Sequence, residues 1–584
     1  MSRFATLALL ALFAAGAASA QTTVKVSADV SSNTTWSAAN TYLLDGLIYV
    51  RPGATLTIEA GTVVRGKEVP SVSTGDAASG IVVMVGARIE ADGRADAPII
   101  MTAEADDLAS TTDLDQNDRA LWGGLILLGR ATTNSTPGIN NIEGVPTSND
   151  TRFGCDASTA GFACDDDDDS GILRYVSLRH AGFGFETDSE INGMTFGAVG
   201  RGTVVEYVEV FANSDDNFEF FGGTVEVKHA VGSFSGDDTF DTDRGFRGKI
   251  QFGLSLNNPG NDAGRCIEAD GGVSSLGGED ATPYSNPVYS NLTCIGAGQG
   301  ANQAQLGEEG NSATLQLRDN TGGHIYNSIF VDWPGSALDL EALSSGEDTE
   351  SRFGTNTEGV DDLVIANNLF FGYGAGSTFA AIVNDDSDNS PARQTAIETA
   401  LAAQNLFVDP QLVNLSGRAP GSGLDPRPRA GSPAAAGASF TGNALAGDSF
   451  FEPVAYKGAF APADANGRGA TWLAGWTALD AGGYLSGQAV AVGARPEAGT
   501  LGLAVAPNPV RGAATARVTL TEAGTARLAL YDILGREVSV VAQGAFAAGT
   551  TPVAVATDAL PAGVYVLRLD AAGASATTRI SVVR

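Results

Sequence analysis

The chain has 584 residues, four of them cysteines, and a net charge of −34. This length predicts two or more domains, and the strong acidity argues against nucleic acid and anionic membrane surfaces as partners. From residue 500 onward, seven Arg outnumber five acidic residues, so this end carries +2 and the remainder −36.

The first twenty residues have the pattern of a secretory signal peptide. Arg3 supplies a positive start, residues 7–18 are mainly apolar, and Ala18-Ser19-Ala20 is a small-residue cleavage site. The apolar stretch is too short for a membrane span, and no later stretch approaches 18 apolar residues in a row. We therefore expect an exported chain that begins at Gln21 and has no transmembrane segment.

Four cysteines suit an oxidising compartment and allow three disulfide pairings. The local pairing, Cys155 with Cys164 and Cys266 with Cys294, is preferred. No Cys-x-x-Cys spacing supports the alternative of metal ligation.

Residues 40–380 are dominated by short strand patterns separated by Gly, Asn and Asp, and these strands repeat. Two series of equivalent positions recur along the chain: Tyr175, Tyr207 and His229, and then Asn291, Asn327 and Asn367. A coil of about 22 residues with loop insertions explains the unequal spacings within both series. A repeat of this length fits one turn of a β-solenoid, with Phe218 stacked on Phe240 in its core.

The segment Leu44–Gly66 resembles the opening coils of secreted right-handed β-helix proteins of the pectin-lyase-like class. Ile89–Thr102 and Trp122–Gly129 continue the resemblance, and Asp425–Ala434 is similar to the closing coil of such folds. The resemblance implies a β-helix over residues 21–447. It implies no activity, because this fold supports lyases, hydrolases, adhesins and surface proteins.

The register of this repeat also brings acidic residues together. It places Asp215 over Asp237, Asp216 over Asp238, and Glu219 over Asp241, and stacked carboxylates either raise a pKa or recruit a cation. Calcium tolerates irregular oxygen coordination. We therefore expect a calcium site, with these ligands: Asp215, Asp216, Asp237, Asp238 and Asp241.

Three alternatives to this site remain open. The cluster is either a solvated acidic turn with local backbone hydrogen bonds, or a ladder neutralised by Arg244, or the carboxylate pair of a glycosidase. A polyuronate lyase would need a cationic cleft, which an acidic body with five lysines does not favour. The five-aspartate run Asp165–Asp169 lacks the spacing of an EF-hand, so we expect a solvated loop there, with loose calcium binding as its alternative.

Ser390-Pro391 followed by Ile397 and Leu401 predicts a helix at about residues 391–403. Residues 448–486 are rich in Trp and Gly and resemble a segment that follows the β-helix in many bacterial surface proteins. We interpret this segment as a cap over the open end of the solenoid, with an aromatic sugar platform as the alternative. A Gly- and Ala-rich linker is expected at residues 487–502.

Residues 503–584 alternate apolar and polar positions and predict a small Ig-like β-sandwich. Their motifs resemble type A sorting domains of the type IX secretion pathway at these positions: Pro507, Asn508, Pro509, Asp532, Gly535, Gly549, Gly563 and Tyr565. The resemblance implies recognition by an outer-membrane translocon after periplasmic transit, and delivery outside the cell or to its surface.

Together these patterns predict an all-β protein, a right-handed parallel β-helix followed by a small Ig-like sandwich. They favour a secreted or surface protein with a binding, adhesive or structural role, and surface lipopolysaccharide or extracellular glycans as partners. The alternative is a carbohydrate-active enzyme on the same scaffold.

Overall fold

The computed structural model describes residues 22–485 and 502–582 of the chain. Within these ranges the gaps are 72–76, 109, 111–112, 187–188, 261–262, 303–305, 307–312, 343–347, 354–362, 386–390, 417, 465–470, 507–509, 511–512, 521–522, 533–535, 548, 558–559, 562 and 572–573. The chain divides into two compact units, residues 1–490 and 491–584. The predicted signal peptide and nearly all of the predicted linker lie outside the described residues.

The first unit is a solenoid whose coils return repeatedly to the same two sheets, and the strand pairings within these sheets are parallel. Val204 pairs with Glu226 and Phe218 with Phe240, and in both cases the partners are one predicted coil length apart. The coil length derived from the sequence therefore describes this part of the chain. The predicted fold class, a right-handed parallel β-helix followed by a small β-sandwich, is confirmed.

The larger sheet has the following strands: Thr22–Val26, Thr34–Trp36, Asn40–Leu44, Thr55–Ile58, Val63–Gly66, Arg88–Asp92, Ile99–Ala103, Gly171–Arg179, Val204–Phe211, Glu226–Ser233, Lys249–Gln251, Leu254–Leu256, Val288–Ser290, Thr293–Ile295, Gly323–Tyr326, Ile329–Trp333, Leu363–Ala366, Leu369–Tyr373 and Leu406–Phe407. The second sheet has these strands: Leu47–Val50, Gly80–Val83, Leu125–Leu128, Met194–Gly197, Phe218–Phe221, Phe240–Asp243, Ile267–Asp270, Ala313–Arg318, Ser336–Leu340 and Val383–Asp385.

Alternate side chains of each strand enter the space between the sheets, because neighbouring residues of a strand point to opposite faces. Phe218 and Phe220 lie in the central core, whereas Phe221 belongs to a cluster outside the second sheet. The predicted stack of Phe218 on Phe240 is present, with ring centroids 5.6 Å apart. Glu219 therefore points outward, between two buried aromatic residues.

One position in successive coils adopts a left-handed backbone conformation. It is Tyr175 in the first long strand, with φ of 47°. In the coils that follow, the equivalent residues have φ between 54° and 62°: Tyr207, His229, Phe252, Asn291, Asn327 and Asn367. The two series found in the sequence are thus one ladder, joined by Phe252.

Asparagine enters the left-handed region readily, but bulky aromatic residues rarely do. In this protein, stacking between coils accompanies the aromatic members of the ladder. Ring centroids are 4.5 Å apart between Tyr175 and Tyr207, 4.2 Å between Tyr207 and His229, and 4.9 Å between His229 and Phe252. The strain of the backbone is therefore offset by ring contacts that these members share.

The remaining described elements of this unit are short, apart from a helix at Pro391–Gln404 that buries Ile397 and Leu401 as predicted. The other helices are Asn149–Thr151, Ser274–Leu276, Thr349–Arg352, Phe379–Ile382 and Ala478–Ala481. Among the described strands, three antiparallel pairs lie outside the two sheets: Ile139–Asn141 with Arg152–Gly154, Gly184–Glu186 with Ser189–Glu190, and Leu412–Asn414 with Asp425–Pro428. No helix in the described part of the chain is long and apolar enough to cross a membrane.

Residues 436–464 and 471–485 form a segment that we call the strap, and it runs along the flank of the solenoid. The Asn367 side chain donates to the Gly437 carbonyl, the Asn291 side chain to the Tyr456 carbonyl, and Gln251 accepts the Glu452 N–H at 2.8 Å. Further along the strap, the N–H of Ala478 donates to Glu209 at 2.6 Å. The strap thus contacts several coils that lie far from it, and from one another, in the sequence.

The prediction of a cap over the open end by residues 448–486 is therefore corrected: the described part of this segment, residues 448–464 and 471–485, lies against the side of the solenoid. The sugar-platform alternative is also wrong. Trp476 is 2% exposed, and Trp472 packs edge-on against His229 with ring centroids 5.1 Å apart. The tryptophans cover the aromatic ladder instead of facing solvent, because the ladder presents a continuous apolar stripe that needs burial.

The second unit is a sandwich of two antiparallel sheets around a common core. One sheet contains Gly502–Ala506, Ala513–Leu520 and Gly549–Ala556, and the other, in spatial order, Glu537–Phe546, Gly524–Asp532, Gly563–Ala571 and Ala574–Val582. Of the predicted sorting residues, Tyr565 is buried and its hydroxyl donates to the Pro561 carbonyl at 3.0 Å. Asp532 ends one strand, and Gly549 and Gly563 begin two others. Pro507, Asn508, Pro509 and Gly535 lie outside the described residues.

Candidate metal site on the acidic face

The turn before the second sheet contains a hydrogen-bonded ladder that runs from coil to coil. Asn192 Oδ1 accepts the N–H of Asp216 at 3.2 Å, and Asp216 Oδ1 accepts the N–H of Asp238 at 2.8 Å. Asp238 Oδ1 in turn accepts the N–H of Arg265. Each side-chain oxygen thus satisfies the backbone of the next coil, and this holds the two aspartates in stacked positions.

Just beyond this turn, the outward positions of the second sheet are acidic. Glu219 pairs with Asp241, and Asp241 pairs with Glu268, in three successive coils. Two residues further along the strands, Asp243 and Asp270 occupy the next outward positions. We call these five residues the acidic face. They share one side of the sheet because the strand period is two and the coils are in register.

Two groups of carboxylates in and beside this face lie close enough to share one cation. Within each group, ligand oxygens lie within 4.8 Å of one another. The groups are Asp216, Glu219 and Asp241, and Asp215, Asp216 and Asp237. Four of the five predicted ligands therefore fall within these two groups, which share Asp216, and Glu219 belongs to the group with Asp216 and Asp241. The register derived from the sequence already stacked Glu219 on Asp241, although the predicted ligand set left it out.

Asp238, the fifth predicted ligand, has a different environment. Its carboxylate lies 3.3 Å from Arg265 Nη1, and the same nitrogen lies 2.5 Å from Glu268. Asp238 and Arg265 are 1% and 4% exposed. This ion pair uses the carboxylate of Asp238, so the residue lies outside both carboxylate groups.

Arginines neutralise much of the remaining acidic face. Arg318 pairs with Glu268 and with Asp270, at 2.5 and 2.8 Å. Arg244 pairs with its neighbour Asp243 at 3.3 Å, and its guanidinium lies over the ring of Phe221. Arg244 thus pairs with Asp243, which is not one of the predicted stacked carboxylates, and the described ion pairs include none between Arg244 and those carboxylates.

Asp216, Glu219 and Asp241 differ from these residues, because no basic side chain in the described part of the chain forms an ion pair with them. Burial, and then the negative charges of neighbouring carboxylates, raise the pKa of each of the three well above its usual range. Asp216 and Glu219 are 6% and 4% exposed, and Oδ1 of Asp241 is buried without a hydrogen bond. The group needs either protons or a cation.

A third acidic group was missed by the sequence analysis. Glu279, Asp319 and Glu341 bring ligand oxygens within 4.8 Å of one another. Burial raises the pKa of Asp319 to about 7, with Asp270 and Glu341 adding to the effect. Asp319 and Glu341 are 22 residues apart, the predicted coil length, so the spacing could have identified this pair, whereas Glu279 lies 40 residues before Asp319 and outside that period.

The aspartate run Asp165–Asp169 is partly solvated, as the sequence suggested, with the side chain of Asp167 72% exposed, but each of its carboxylates also forms an ion pair. Arg130 pairs with Asp165 and Asp168, while Asp166 pairs with Arg247, Asp167 with Arg201 and Asp169 with Arg88. Four arginines from different coils converge on this run. The acidic stretch is therefore an ion-pair centre that ties an insertion to the solenoid.

Both disulfides follow the preferred pairing. Cys155 bonds to Cys164 within the insertion between residues 130 and 170, and Cys266 bonds to Cys294 across two coils. The second bond lies in the central core, where both cysteines are fully buried.

A cavity of about 70 Å³ lies where a loop of the solenoid meets the strap. It is lined by Asp106, Arg179, His180 and Tyr484 among others, and none of the acidic-face residues contributes to it. The acidic face therefore does not form the wall of this cavity.

The geometry of the first unit defines a parallel β-helix protein with a carboxylate cluster on one outward face. Residues 28–389 match the family model of the pectate-lyase-like beta helix domain, and this match covers more than half of the chain, so the chain belongs to that family. Residues 504–583 match the model of the secretion system C-terminal sorting domain. No curated protein matches the sequence. The protein is a secreted or outer-surface β-helix protein that carries a type IX secretion sorting domain.

Proposed function

We propose that this protein binds calcium through Asp216, Glu219 and Asp241 and acts outside the cell as a calcium-dependent binding protein. The observation that carries the proposal is the convergence of two buried carboxylates, Asp216 and Glu219, with the partly buried Asp241, with oxygens within 4.8 Å and no ion pair to an arginine or lysine of the described chain. Three carboxylates offer up to six oxygens, and calcium takes roughly six to eight.

The surrounding contacts favour a cation over protons at neutral pH. Asp216 Oδ1 and Glu219 Oε2 already accept hydrogen bonds, from the Asp238 N–H and the Asn192 side chain, and these bonds favour the ionised form. An ionised cluster of three acids in a site of low exposure is costly without a counter-ion. A divalent cation removes this repulsion, and water molecules complete its shell.

Isothermal titration of the full chain with CaCl₂ tests the metal. We expect one saturable site that Glu219→Gln and Asp241→Asn each weaken by at least tenfold. Glu226→Gln is the matched control, because Glu226 lies on the other sheet in an ion pair with Lys249 at 2.7 Å. Absence of calcium binding by the wild type, or equal weakening by the control, would contradict the proposal.

The ligand we favour is an extracellular glycan or surface lipopolysaccharide held at the calcium-loaded face. Oxygen-rich, neutral or acidic ligands complete a calcium shell that protein oxygens leave open. A glycan array probed with the full chain in calcium and in EDTA tests this choice. Equal binding in the two buffers would show that glycan recognition does not depend on calcium.

A second candidate is glycan hydrolysis on the same face. It is favoured by Glu268, a buried carboxyl whose pKa is raised by burial and by Asp238, in register with Asp241. Hydrolases pair a protonated carboxyl with an ionised one, and the raised pKa of Glu268 suits the protonated member of such a pair. We expect no turnover, because Glu268 is held by Arg265 and Arg318. Reducing-sugar and unsaturated-product assays, with Glu268→Gln as the comparison, decide the question.

A further inference from the structure

In the sorting unit, one edge of the four-stranded sheet is a long strand that no other described strand pairs with on its outer side. This sheet begins with Glu537–Phe546, a strand of ten residues that pairs on one side with Gly524–Asp532. Among the described strands, none pairs with its other side. A strand at an edge presents unpaired N–H and C=O groups to any extended chain that approaches it.

Two of the usual protective devices of an edge strand, charge and proline, are missing after the first residue of this strand. Residues 538–546 contain no charged residue and no proline, and the side chains of Val538 and Val540 are 40% and 45% exposed. The opposite edge strand, Ala574–Val582, differs: it carries Arg579, and its last residue forms a bridge with Val510. Natural proteins protect long apolar edge strands against pairing with other chains, unless such pairing is part of their function.

We infer that Glu537–Phe546 is the docking strand of the sorting domain, to which the outer-membrane secretion machinery adds a strand of its own. Strand addition provides affinity through main-chain hydrogen bonds, and alternate side chains provide selectivity. The exposed side chains of Val538 and Val540 supply the apolar contact. The inference rests on the sorting role of this domain and is independent of the calcium proposal.

A second copy of the chain is the less suitable occupant. The pairing of this strand with its neighbour is irregular at two places, between Leu528 and Ala529 and between Leu530 and Tyr531. Such irregularities increase the local twist, which opposes a flat continuous sheet between two identical edges. A single receiving strand follows a twisted edge more easily.

The test uses the full chain expressed in a bacterium with a type IX pathway. Val540→Lys places a charge on the docking edge, and Val204→Lys is the matched control, since Val204 is 37% exposed on a strand of the β-helix. We expect Val540→Lys to leave most of the body in the periplasm, while the control and Val540→Thr, which keeps a β-branched side chain, are secreted normally. Normal secretion of Val540→Lys would overturn the inference.

A photo-crosslinking amino acid distinguishes a docking defect from misfolding. Placed at position 540, it should form an adduct with an outer-membrane component of the machinery, identified by mass spectrometry. Placed at Arg568, which is exposed on an inner strand of the same sheet, it should not. Adducts with a second copy only, or equal adducts from both positions, would overturn the assignment of this edge.

Discussion

Asp216 Oδ1 accepts the backbone N–H of Asp238, its counterpart 22 residues later, at 2.8 Å. One carboxylate therefore has two roles, as an acceptor that fixes the register of consecutive coils and as a member of the proposed calcium site. Asn192 has the first role one coil earlier, through its amide oxygen and without a charge. This equivalence allows the two roles of Asp216 to be separated by mutation.

Asp216→Asn should preserve the fold and weaken calcium binding, because the amide keeps Oδ1 and loses the charge. Asp216→Ala should lower the free energy of unfolding by about 1–3 kcal/mol, because it leaves a buried N–H of Asp238 without an acceptor. Urea denaturation in EDTA measures the stability of both variants, and calorimetric titration measures their calcium affinity. Equal destabilisation by both variants would mean that the charge, and not the acceptor, supports the turn.

Calcium should reverse the pH dependence of stability near neutrality. Without calcium, the folded pKa of Asp216, Glu219 and Asp241 lies above the unfolded value, and that of Asp243 is raised to about 6. The folded state then binds more protons than the unfolded state, so stability falls as the pH rises from about 4 through these pKa values. Calcium at a hundredfold excess over Kd should add about 2.7 kcal/mol at pH 7 and less at pH 5.

Scanning calorimetry at pH 5 and pH 7, in EDTA and in CaCl₂, checks this expectation. In EDTA the wild-type Tm at pH 5 should exceed the Tm at pH 7, and Asp241→Asn should reduce this difference. A wild-type Tm that does not respond to calcium at pH 7 would remove the basis of the prediction.

Lys457 in the strap is 3% exposed, and its Nζ donates to Asn367 Oδ1 at 2.7 Å. Burial lowers the pKa of Lys457 to about 8. The folded state therefore binds fewer protons than the unfolded state between about pH 8 and 10.4, and stability from this group is lost as the pH falls through that window. Lys457→Met should raise the free energy of unfolding at pH 7 by roughly 2–3 kcal/mol.

Urea titrations of wild type and Lys457→Met at pH 7 and pH 9 measure the effect, and the gain should shrink at pH 9. Lys228→Met provides the control, because Lys228 is partly exposed. A loss of stability at pH 7 would show that the hydrogen bond to Asn367 outweighs the cost of burying the charge.

Trp476 holds the strap on the aromatic ladder. Its ring packs edge-on against Tyr175 and Tyr207, at centroid distances of 5.6 and 6.4 Å, and its Nε1 donates to the Trp472 carbonyl at 2.7 Å. Trp476→Ala should cost about 3–5 kcal/mol of unfolding free energy. Phe371→Ala, at a site 37% exposed, should cost much less. Similar losses in the two variants, measured by urea denaturation, would contradict a structural role for the strap.

Deletion of Leu503–Arg584 should retain the body in the periplasm. The deleted unit matches the sorting-domain model and has its own compact core, so its loss removes the secretion address without opening the β-helix. Cell fractionation and immunoblotting follow the body. We expect the wild-type body outside the cell, and surface display of the truncated chain would refute the address role.

Much of the fold was predictable from the sequence, because residues that stack in neighbouring parallel coils are separated in the sequence by one coil length. Phe218 and Phe240 were placed on each other, as were Glu219 and Asp241, since coils without insertions repeat at a constant spacing. The sorting domain was also predictable, because its motifs are local. Neither prediction needed knowledge of contacts between distant segments.

Only the tertiary structure decided which acids are neutralised. Arg265 follows Asp238 by 27 residues. The insertion in this coil makes the spacing longer than the repeat, so a search at a fixed repeat length does not align the two residues. The arginines around Asp165–Asp169 and the route of the strap also depend on contacts between segments far apart in sequence. Residues that stack in successive coils recur at a constant spacing, so the sequence shows them. Each contact of a loop or of the strap with the solenoid occurs once, so no repeated spacing in the sequence indicates it.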